Sequence, residues 1–203
     1  MALIPVAPGE VATIVTTLEM PTRPRPRPLP PAPPGVPLRL ERWDRPAPDR
    51  YRALFRRVGG PWLWFSRLAM DDAALTATVH DPAVEIYAAV DPRGIEVGML
   101  ELDRRRRVGQ PADACELSYL GLVPELTGQG HGRWLMGHAL ALAWTPGTSR
   151  VWVHTCTLDH PSALNFYRAQ GFVAVRRTIE TFSDPRALGL LPVEAGRHVP
   201  YLA

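Results

Sequence analysis

The stretch Leu120–Met136, LGLVPELTGQGHGRWLM, carries the strongest structural signal in this sequence. It reads as the end of a strand, then a loop with glycines at three alternate positions, then the start of a helix. Because glycine has no Cβ, such a loop turns tightly and lets a ligand approach its backbone amides. The first helical turn attracts anions through its unpaired amides and the helix dipole, and Arg133 adds a positive charge. The stretch therefore predicts a phosphate-binding turn.

The spacing of these glycines excludes two common phosphate loops. No Gly-Lys-Ser/Thr sequence follows, so the segment is not a Walker loop. The run is Gly-x-Gly-x-Gly, and the strand before it lies in the middle of the chain after a predicted hairpin, so it is not a Rossmann turn either. A flexible helix entry that binds nothing is the alternative that the sequence leaves open.

The segments around the loop predict an antiparallel meander of three strands upstream and a β-α-β crossover downstream. The meander strands are 84–90, 95–102 and 115–123, and the crossover continues through a helix at about 130–144 and a strand at 150–157. Further strands are predicted at 11–20, 38–43 and 173–182, and helices at 48–58, 61–70, 72–80 and 161–170. This order predicts an α/β fold with a mixed, mostly antiparallel central sheet, flanking helices and an extra N-terminal strand.

A proline-rich segment divides the chain, because nine of the 23 prolines lie within residues 21–37. Proline lacks an amide donor, so this connector is predicted to be extended polyproline II. The resulting organisation is an N-terminal strand extension (1–20), the connector (21–37), a main domain (38–182) and a C-terminal tail (183–203). A docking ligand for a partner is the alternative reading of the connector. The N-terminal strand is expected to pair within the chain or with a second subunit of a homodimer.

Composition narrows the class of protein. All 23 basic residues are arginine, and 20 acidic residues leave a net charge of +3, which suits an anionic ligand but is weak for nucleic-acid binding. No apolar run approaches the roughly 20 residues of a membrane span, and the N-terminus has no basic n-region. Two cysteines, Cys115 and Cys156, are too few for a disulfide framework. We therefore expect a cytoplasmic protein with no nucleic-acid, membrane or metal partner.

The segment Pro124–Gly132 resembles the signature of the GNAT superfamily of N-acetyltransferases. That signature is Q/R-x-x-G-x-G/A with a proline a few residues upstream, and Gly130 and Gly132 match it. Thr127 stands where the family has Gln or Arg, a departure expected to weaken one contact to pyrophosphate, for which Gln129 or Arg133 could compensate.

A second segment, His160–Phe172, resembles the family's N-x-x-A-x-x-x-Y-x-x-x-G-F motif. His160 replaces the usual Asn, and the matching positions are Ala163, Tyr167, Gly171 and Phe172. Since the predicted strands and helices also follow the family's order, the resemblance extends from residue 38 to residue 182.

The resemblance implies that acetyl-CoA binds in a wedge where two central strands splay apart. Here those strands are 115–123 and 150–157. The cofactor-binding residues that it implies are Leu122 and Val123 for the pantetheine arm and Gly128, Gln129, Gly130, His131, Gly132 and Arg133 for the pyrophosphate.

The resemblance also implies a catalytic acid and a catalytic base. Tyr167 matches the tyrosine that protonates the departing thiolate, and a packed core tyrosine is the alternative. Glu116 lies on an otherwise apolar strand, six residues before Leu122, and is chosen as the base that takes the amine proton directly or through water. Glu101 and His154 are the alternative bases.

The acceptor pocket of this fold is built from the first helices and their loop, where Trp62, Trp64, Phe65 and Arg67 lie. Indoles beside an arginine predict an aromatic or carboxylate-bearing amine as the substrate, and a packed apolar helix is the alternative. Arg104–Arg107 are expected to form a solvated turn. The predicted function is acetyl transfer from acetyl-CoA to a primary amine of a small molecule or peptide in a ternary complex. The alternative is a non-catalytic acyl-CoA sensor.

Overall fold

A computed structural model describes residues 3–25, 28–30, 33 and 35–202. The strands within these residues are β1 (Glu10–Met20), β2 (Arg39–Trp43), β3 (Val84–Val90), β4 (Glu96–Asp103), β5 (Ala114–Leu122), β6 (Arg150–Cys156) and β7 (Val173–Ser183). The α-helices are α1 (Pro48–Gly59), α2 (Asp72–Val79), α3 (His131–Ala143) and α4 (Ala163–Ala169).

All seven strands form one sheet in the order β2-β3-β4-β5-β6-β1-β7. Neighbouring strands are antiparallel except β5 and β6, which are parallel and are joined through α3. The predicted mixed, mostly antiparallel α/β fold is confirmed. The N-terminal strand β1 pairs within the chain, where it lies between β6 and β7 and sets Thr17 opposite His154 and Ile14 opposite Ile179.

The parallel strands β5 and β6 separate soon after they begin. They pair only at residues 114–116 of β5 and 150–152 of β6. Beyond that point the last six residues of β5 pair on one side only, with β4. The two strands therefore splay apart, as the sequence resemblance implied, and leave one edge of β5 open.

Helix α1 packs on the sheet through the residues that the sequence predicted. Tyr51, Leu54, Phe55 and Val58 are all buried, and their spacing of three and four residues places them on one face of the helix. Tyr51 and Phe55 are fully inaccessible. From α3, the buried residues Leu135, Met136 and Ala139 join the same core. Both helices thus pack against the central strands β4 and β5.

The helix predicted at 61–70 is wrong. The structure has a short 3-10 turn at Gly60–Trp62 and then an irregular loop. Leu63 adopts a left-handed backbone with φ of 56°, which a continuing right-handed helix does not accept. A Cβ at Gly59 would collide with the Trp64 ring, so glycine there lets the chain fold back. The segment 63–70 is therefore an aromatic loop beside the sheet, called here the aromatic loop.

The solvated turn predicted at 104–107 holds only in part, because Arg106 and Arg107 are exposed but Arg104 and Arg105 are half-buried. Arg104 donates to the carbonyls of Leu142 and Ala143 at 2.8 and 3.1 Å, and so closes the C-terminus of α3. Arg105 and Arg107 donate to the buried carboxylate of Asp103 at 2.7 and 2.6 Å. A buried carboxylate needs such partners to offset its lost hydration, and the sequence gives no sign that Asp103 is buried.

The connector crosses α3 close to the loop that carries Gly128 and Gly130, called here the glycine loop. Pro30 lies over Gly137, where an added Cβ would collide with the proline ring. Pro33 lies over Gly130, with its Cβ 3.5 Å from where a Cβ would stand on that glycine. Residues 26, 27, 31, 32 and 34 are outside the described part of the chain, so the polyproline prediction for 21–37 stays a prediction there.

The C-terminal tail folds back onto the body of the protein. Asp184 and Arg186 form a buried ion pair at 2.7 Å, and Arg186 also donates to the carbonyl of Val199 at 2.9 Å. The buried side chain of Leu191 lies near Gly60. Within the described residues, no helix has both the length and the apolar character to cross a membrane.

Candidate active site

A cavity of about 450 Å³ lies where β5 and β6 separate. Its walls come from β1, β5, β6, β7, the aromatic loop, the glycine loop and α4. The cavity has two distinct ends: a glycine-loop end beside α3, and an acceptor end bounded by β6, β7 and the aromatic loop.

The glycine-loop end is shaped by backbone that only glycine adopts readily. Gly128 and Gly130 have φ of 78° and 88°, and Gly130 is the N-cap of α3. Among the described residues no side chain caps this helix. The Arg133 amide donates to the Gly130 carbonyl at 3.1 Å, so the amides of His131 and Gly132 remain available to a ligand. Gly128, Gly130, Gly132 and Arg133 all line the cavity. This end therefore suits a phosphate.

Two predicted residues of the glycine loop do not line the cavity. Gln129 donates from Nε2 to the carbonyl of Glu125 at 2.6 Å, which fixes the loop's shape. The His131 side chain is fully buried, and neither ring nitrogen has a hydrogen-bond partner among the described residues. Burial lowers the pKa of His131, so its ring is neutral. The His131 side chain is thus part of the packing, and only its amide is available to a phosphate.

The open edge of β5 forms the floor between the two ends. Residues 117–122 line the cavity. Leu122 lies opposite Gly98 of β4, and the amide of Val123 donates to the Val97 carbonyl at 2.9 Å. The predicted role of Leu122 thus agrees with its position, whereas the Val123 amide is occupied by β4 and Val123 is absent from the cavity wall.

Two of the candidate bases form a pair. Glu116 Oε1 lies 3.1 Å from His154 Nδ1, and Oε2 accepts from Arg107 Nε at 3.3 Å. The Glu116 side chain is only 5% exposed and does not line the cavity, whereas His154 is 48% exposed and does. The hydrogen bond that His154 donates to Glu116 is the main cause that raises the pKa of His154. His154 therefore stands between Glu116 and the cavity.

Glu101 and Arg67 are paired away from the cavity. Glu101 is fully buried and accepts from Tyr51 Oη at 2.5 Å and from Arg67 at 2.6 Å. Arg67 also lies over the Tyr119 ring, 5.3 Å from its centroid. Arg67 was predicted to bind the acceptor, but its charge is neutralised by Glu101, and neither residue lines the cavity.

Tyr167 lines the cavity from α4 and is itself 8% exposed. Burial raises the pKa of its phenol above the usual range, and the negative charge of Asp159 raises it further. The hydroxyl therefore keeps its proton at neutral pH and remains a proton donor.

The acceptor end combines predicted aromatic residues with residues that sequence reasoning missed. Trp62, Trp64 and Phe65 line it as predicted, and Trp64 Nε1 donates to Asp159 Oδ1 at 3.1 Å. The residues missed are Thr13, Val15, Asp159, Glu180 and Phe182. They belong to no motif. Alternation along β1 and β7 indicates which residues share a face, but no local signal brings those faces to this cavity.

Comparison with known proteins identifies the type of domain. The profile of a family described as "Acetyltransferase (GNAT) family" matches residues 40–172, a range that leaves out β1 and β7. No curated protein matches the chain.

Solved structures of known proteins share the fold at low sequence identity. One is a functionally unknown conserved protein from Staphylococcus epidermidis, with a TM-score of 0.50 and 14% identity over 87% of this chain. Another is a GCN5-related N-acetyltransferase from Sphaerobacter thermophilus, with a TM-score of 0.57 and 15% identity over 84% of this chain. This chain spans 63% and 51% of their lengths, less than two thirds of either. The aminoglycoside N-acetyltransferase AAC(6')-Iy, solved with CoA, has a TM-score of 0.53 at 17% identity, with 72% of this chain and 94% of that chain covered.

Proposed function

The chain belongs to the acetyltransferase (GNAT) family, whose donor is acetyl-CoA, and we propose that it acetylates a primary amine of a small molecule or peptide. Transfer takes place directly, in a complex that holds donor and acceptor together. One observation carries this proposal: a single cavity joins the glycine loop to His154 and Tyr167, the two groups suited to move protons.

The glycine-loop end fits the diphosphate of CoA. The bare backbone at Gly128 and Gly130 allows close approach, and the α3 dipole and Arg133 supply positive charge. The open edge of β5 offers backbone groups to the amides of the pantetheine arm. Acetyl-CoA supplies the activated thioester and a thiolate leaving group.

His154 is the proposed base. With Nδ1 donating to Glu116, Nε2 carries the lone pair in the neutral tautomer and accepts the proton of the incoming ammonium. Glu116, behind it, fixes the tautomer and stabilises the imidazolium that forms. This differs from direct proton removal by Glu116, because Glu116 does not line the cavity.

Tyr167 is the proposed acid. As the amine nitrogen bonds to the carbonyl carbon, the carbon–sulfur bond breaks and its electron pair stays on sulfur. Tyr167 protonates that sulfur and is reprotonated from solvent. His154 passes the first ammonium proton to solvent and then takes the second, which the nitrogen loses once it is bonded to the carbonyl carbon. The products are the N-acetyl amine, CoA and one proton released to solvent.

The test is release of free thiol from acetyl-CoA with a panel of amines and peptides. We expect His154→Gln and Tyr167→Phe to lower kcat by about 10²–10⁴-fold, while calorimetry finds acetyl-CoA binding unchanged. Full turnover in His154→Gln would refute its role as the base. Binding of acetyl-CoA without turnover on any amine would favour the non-catalytic sensor.

A further inference from the structure

The acceptor end of the cavity carries two carboxylates that no basic side chain of the described residues pairs with. Asp159 and Glu180 both line it, and neither forms an ion pair among the described residues. Asp159 accepts hydrogen bonds only from neutral donors: Trp64 Nε1 at 3.1 Å, Thr155 Oγ1 at 2.6 Å and the Cys156 amide at 3.0 Å. These bonds hold the carboxylate firmly in place and leave its charge on it.

Positive side-chain charge lies at the other end. Arg133 is the one arginine among the described residues that line the cavity, and it belongs to the glycine loop. The two carboxylates also affect the proposed base. Asp159 and Glu180 both raise the pKa of His154, although the contact with Glu116 raises it more. The cavity is therefore polarised along its length.

Aromatic rings line the same end as the two carboxylates. Phe65 stacks on Phe182 of β7 with centroids 4.5 Å apart and planes at 22°, and Trp62 and Trp64 complete the wall. Aromatic faces attract ammonium groups as well as packing against carbon chains. This surface suits a molecule with apolar methylene groups and a positive charge.

An acceptor with a carboxylate is disfavoured at this site. The arginine predicted to bind it, Arg67, is already paired with Glu101 at 2.6 Å and lies outside the cavity. Such a substrate would meet Asp159 and Glu180 instead, and like charges at short range repel.

We propose that the acceptor is a small aliphatic diamine or polyamine. One nitrogen is acetylated beside His154, and a second, as an ammonium, lies against Asp159 and Glu180 with its methylene chain along Phe65 and Phe182. This inference rests on the proposed function and names its substrate class. Glu180 and Phe182 lie on β7, outside the family match at 40–172, so this selection comes from segments that the family profile does not cover.

The test compares three acceptors of equal chain length: diaminopentane, pentylamine and aminopentanoate. Thiol release is expected to give kcat/KM at least about tenfold higher for diaminopentane than for pentylamine, equivalent to about 1.4 kcal/mol, with aminopentanoate lowest. Glu180→Gln should remove most of the preference for diaminopentane while the KM for acetyl-CoA stays unchanged. Glu10→Gln is the matched control, because it removes the same charge from the neighbouring strand outside the cavity and should change nothing.

Equal or better use of aminopentanoate, or an unchanged preference in Glu180→Gln, would overturn the inference. If no amine releases thiol, the proposed function fails, and titration calorimetry of the same three amines into the CoA-saturated protein decides the inference separately. Tighter binding of diaminopentane that is lost in Glu180→Gln would uphold the diamine site; equal binding of all three would refute it.

Discussion

The two ends of the cavity are built in different ways. The glycine-loop end is one continuous piece of chain, from β5 to the start of α3, inside the family match. The acceptor end brings together β1, β6, β7 and the aromatic loop, and one of its hydrogen bonds joins Thr13 to Thr157, 144 residues apart. The glycine-loop end is thus formed by residues that are close in sequence, whereas the acceptor end is formed by distant segments that only folding brings together.

The ends also differ in charge, and this difference matches their ligands. A continuous loop with a positive helix terminus suits the diphosphate that every family member must hold. The acceptor end has carboxylates at Asp159 and Glu180, partly on strands outside the family match. In the proposed function, the donor is recognised by a segment inside the family match, and the acceptor in part by β1 and β7, which lie outside it.

Of the four further substitutions that follow, Glu116→Gln is expected to have the largest effect. It acts at the acceptor end, through His154. The base must be neutral, so the rate rises with pH through the pKa of His154, which Glu116 raises. Without that charge, the acid limb of the kcat/KM profile should move to lower pH, although Asp159 and Glu180 still face the ring. The plateau should fall roughly 10²-fold as the ring loses its orientation. Loss of activity with no shift of the limb would instead make Glu116 the base.

Gly130→Ala tests the glycine-loop end. An alanine at φ of 88° is strained by about 1–2 kcal/mol, so the loop must shift, and its Cβ would stand 3.5 Å from Pro33 of the connector. We expect the Kd for acetyl-CoA to rise about tenfold with little change in acceptor KM. Gly147→Ala is the control, since Gly147 has φ of 91° with open space around it and lies outside the cavity. A similar loss of acetyl-CoA affinity in Gly147→Ala would show that only stability had changed.

Thr13→Val tests how much β1 contributes to acceptor binding, independently of acetyl-CoA binding. It removes a hydrogen bond at 2.8 Å to Thr157 Oγ1 and one at 3.1 Å from the Thr157 amide. Denaturant unfolding should reveal a loss of about 1–2 kcal/mol, and the acceptor KM should rise a few-fold while the acetyl-CoA KM is retained. A rise in the acetyl-CoA KM alone would contradict the separation of the two ends.

Gly137→Ala is expected to have the smallest effect. Alanine favours the helix by about 1 kcal/mol, but its Cβ would displace Pro30 of the connector. Because Pro33 lies over Gly130, the acetyl-CoA KM should rise about two- to threefold, less than the tenfold step that 1.4 kcal/mol produces. Ala139→Gly in the same helix is the control. It changes helix propensity in the opposite direction. Higher stability with unchanged kinetics would show that the connector is irrelevant to donor binding.

The predictable part of the molecule followed from local signals. The order of the strands and helices could be predicted from turn glycines and from the apolar spacing of α1. The glycine loop predicted which segment would bind a phosphate. The helix predicted at 61–70 failed because backbone at Leu63 is left-handed, which composition does not reveal. The pairing of His154 with Glu116 depends on parallel register, which sets Glu116 opposite Trp152, and the burial of Arg67 depends on Glu101. These are contacts between distant segments, and no single stretch encodes them.

The position of β1 also sets the order in which the protein matures. This strand is made before β7, yet its register pairs Glu10 with Ser183 on β7, and at 5–20 residues per second this partner emerges roughly 10–30 s later. β1 can pair with β6 once residues 150–156 have emerged, but it stays an edge strand until β7 is added, and pairings over such a separation form late. A nascent chain can thus assemble the glycine loop well before β7 brings Glu180 and Phe182 to the cavity. If these two residues select the acceptor as proposed, substrate selectivity is the last property that this protein acquires.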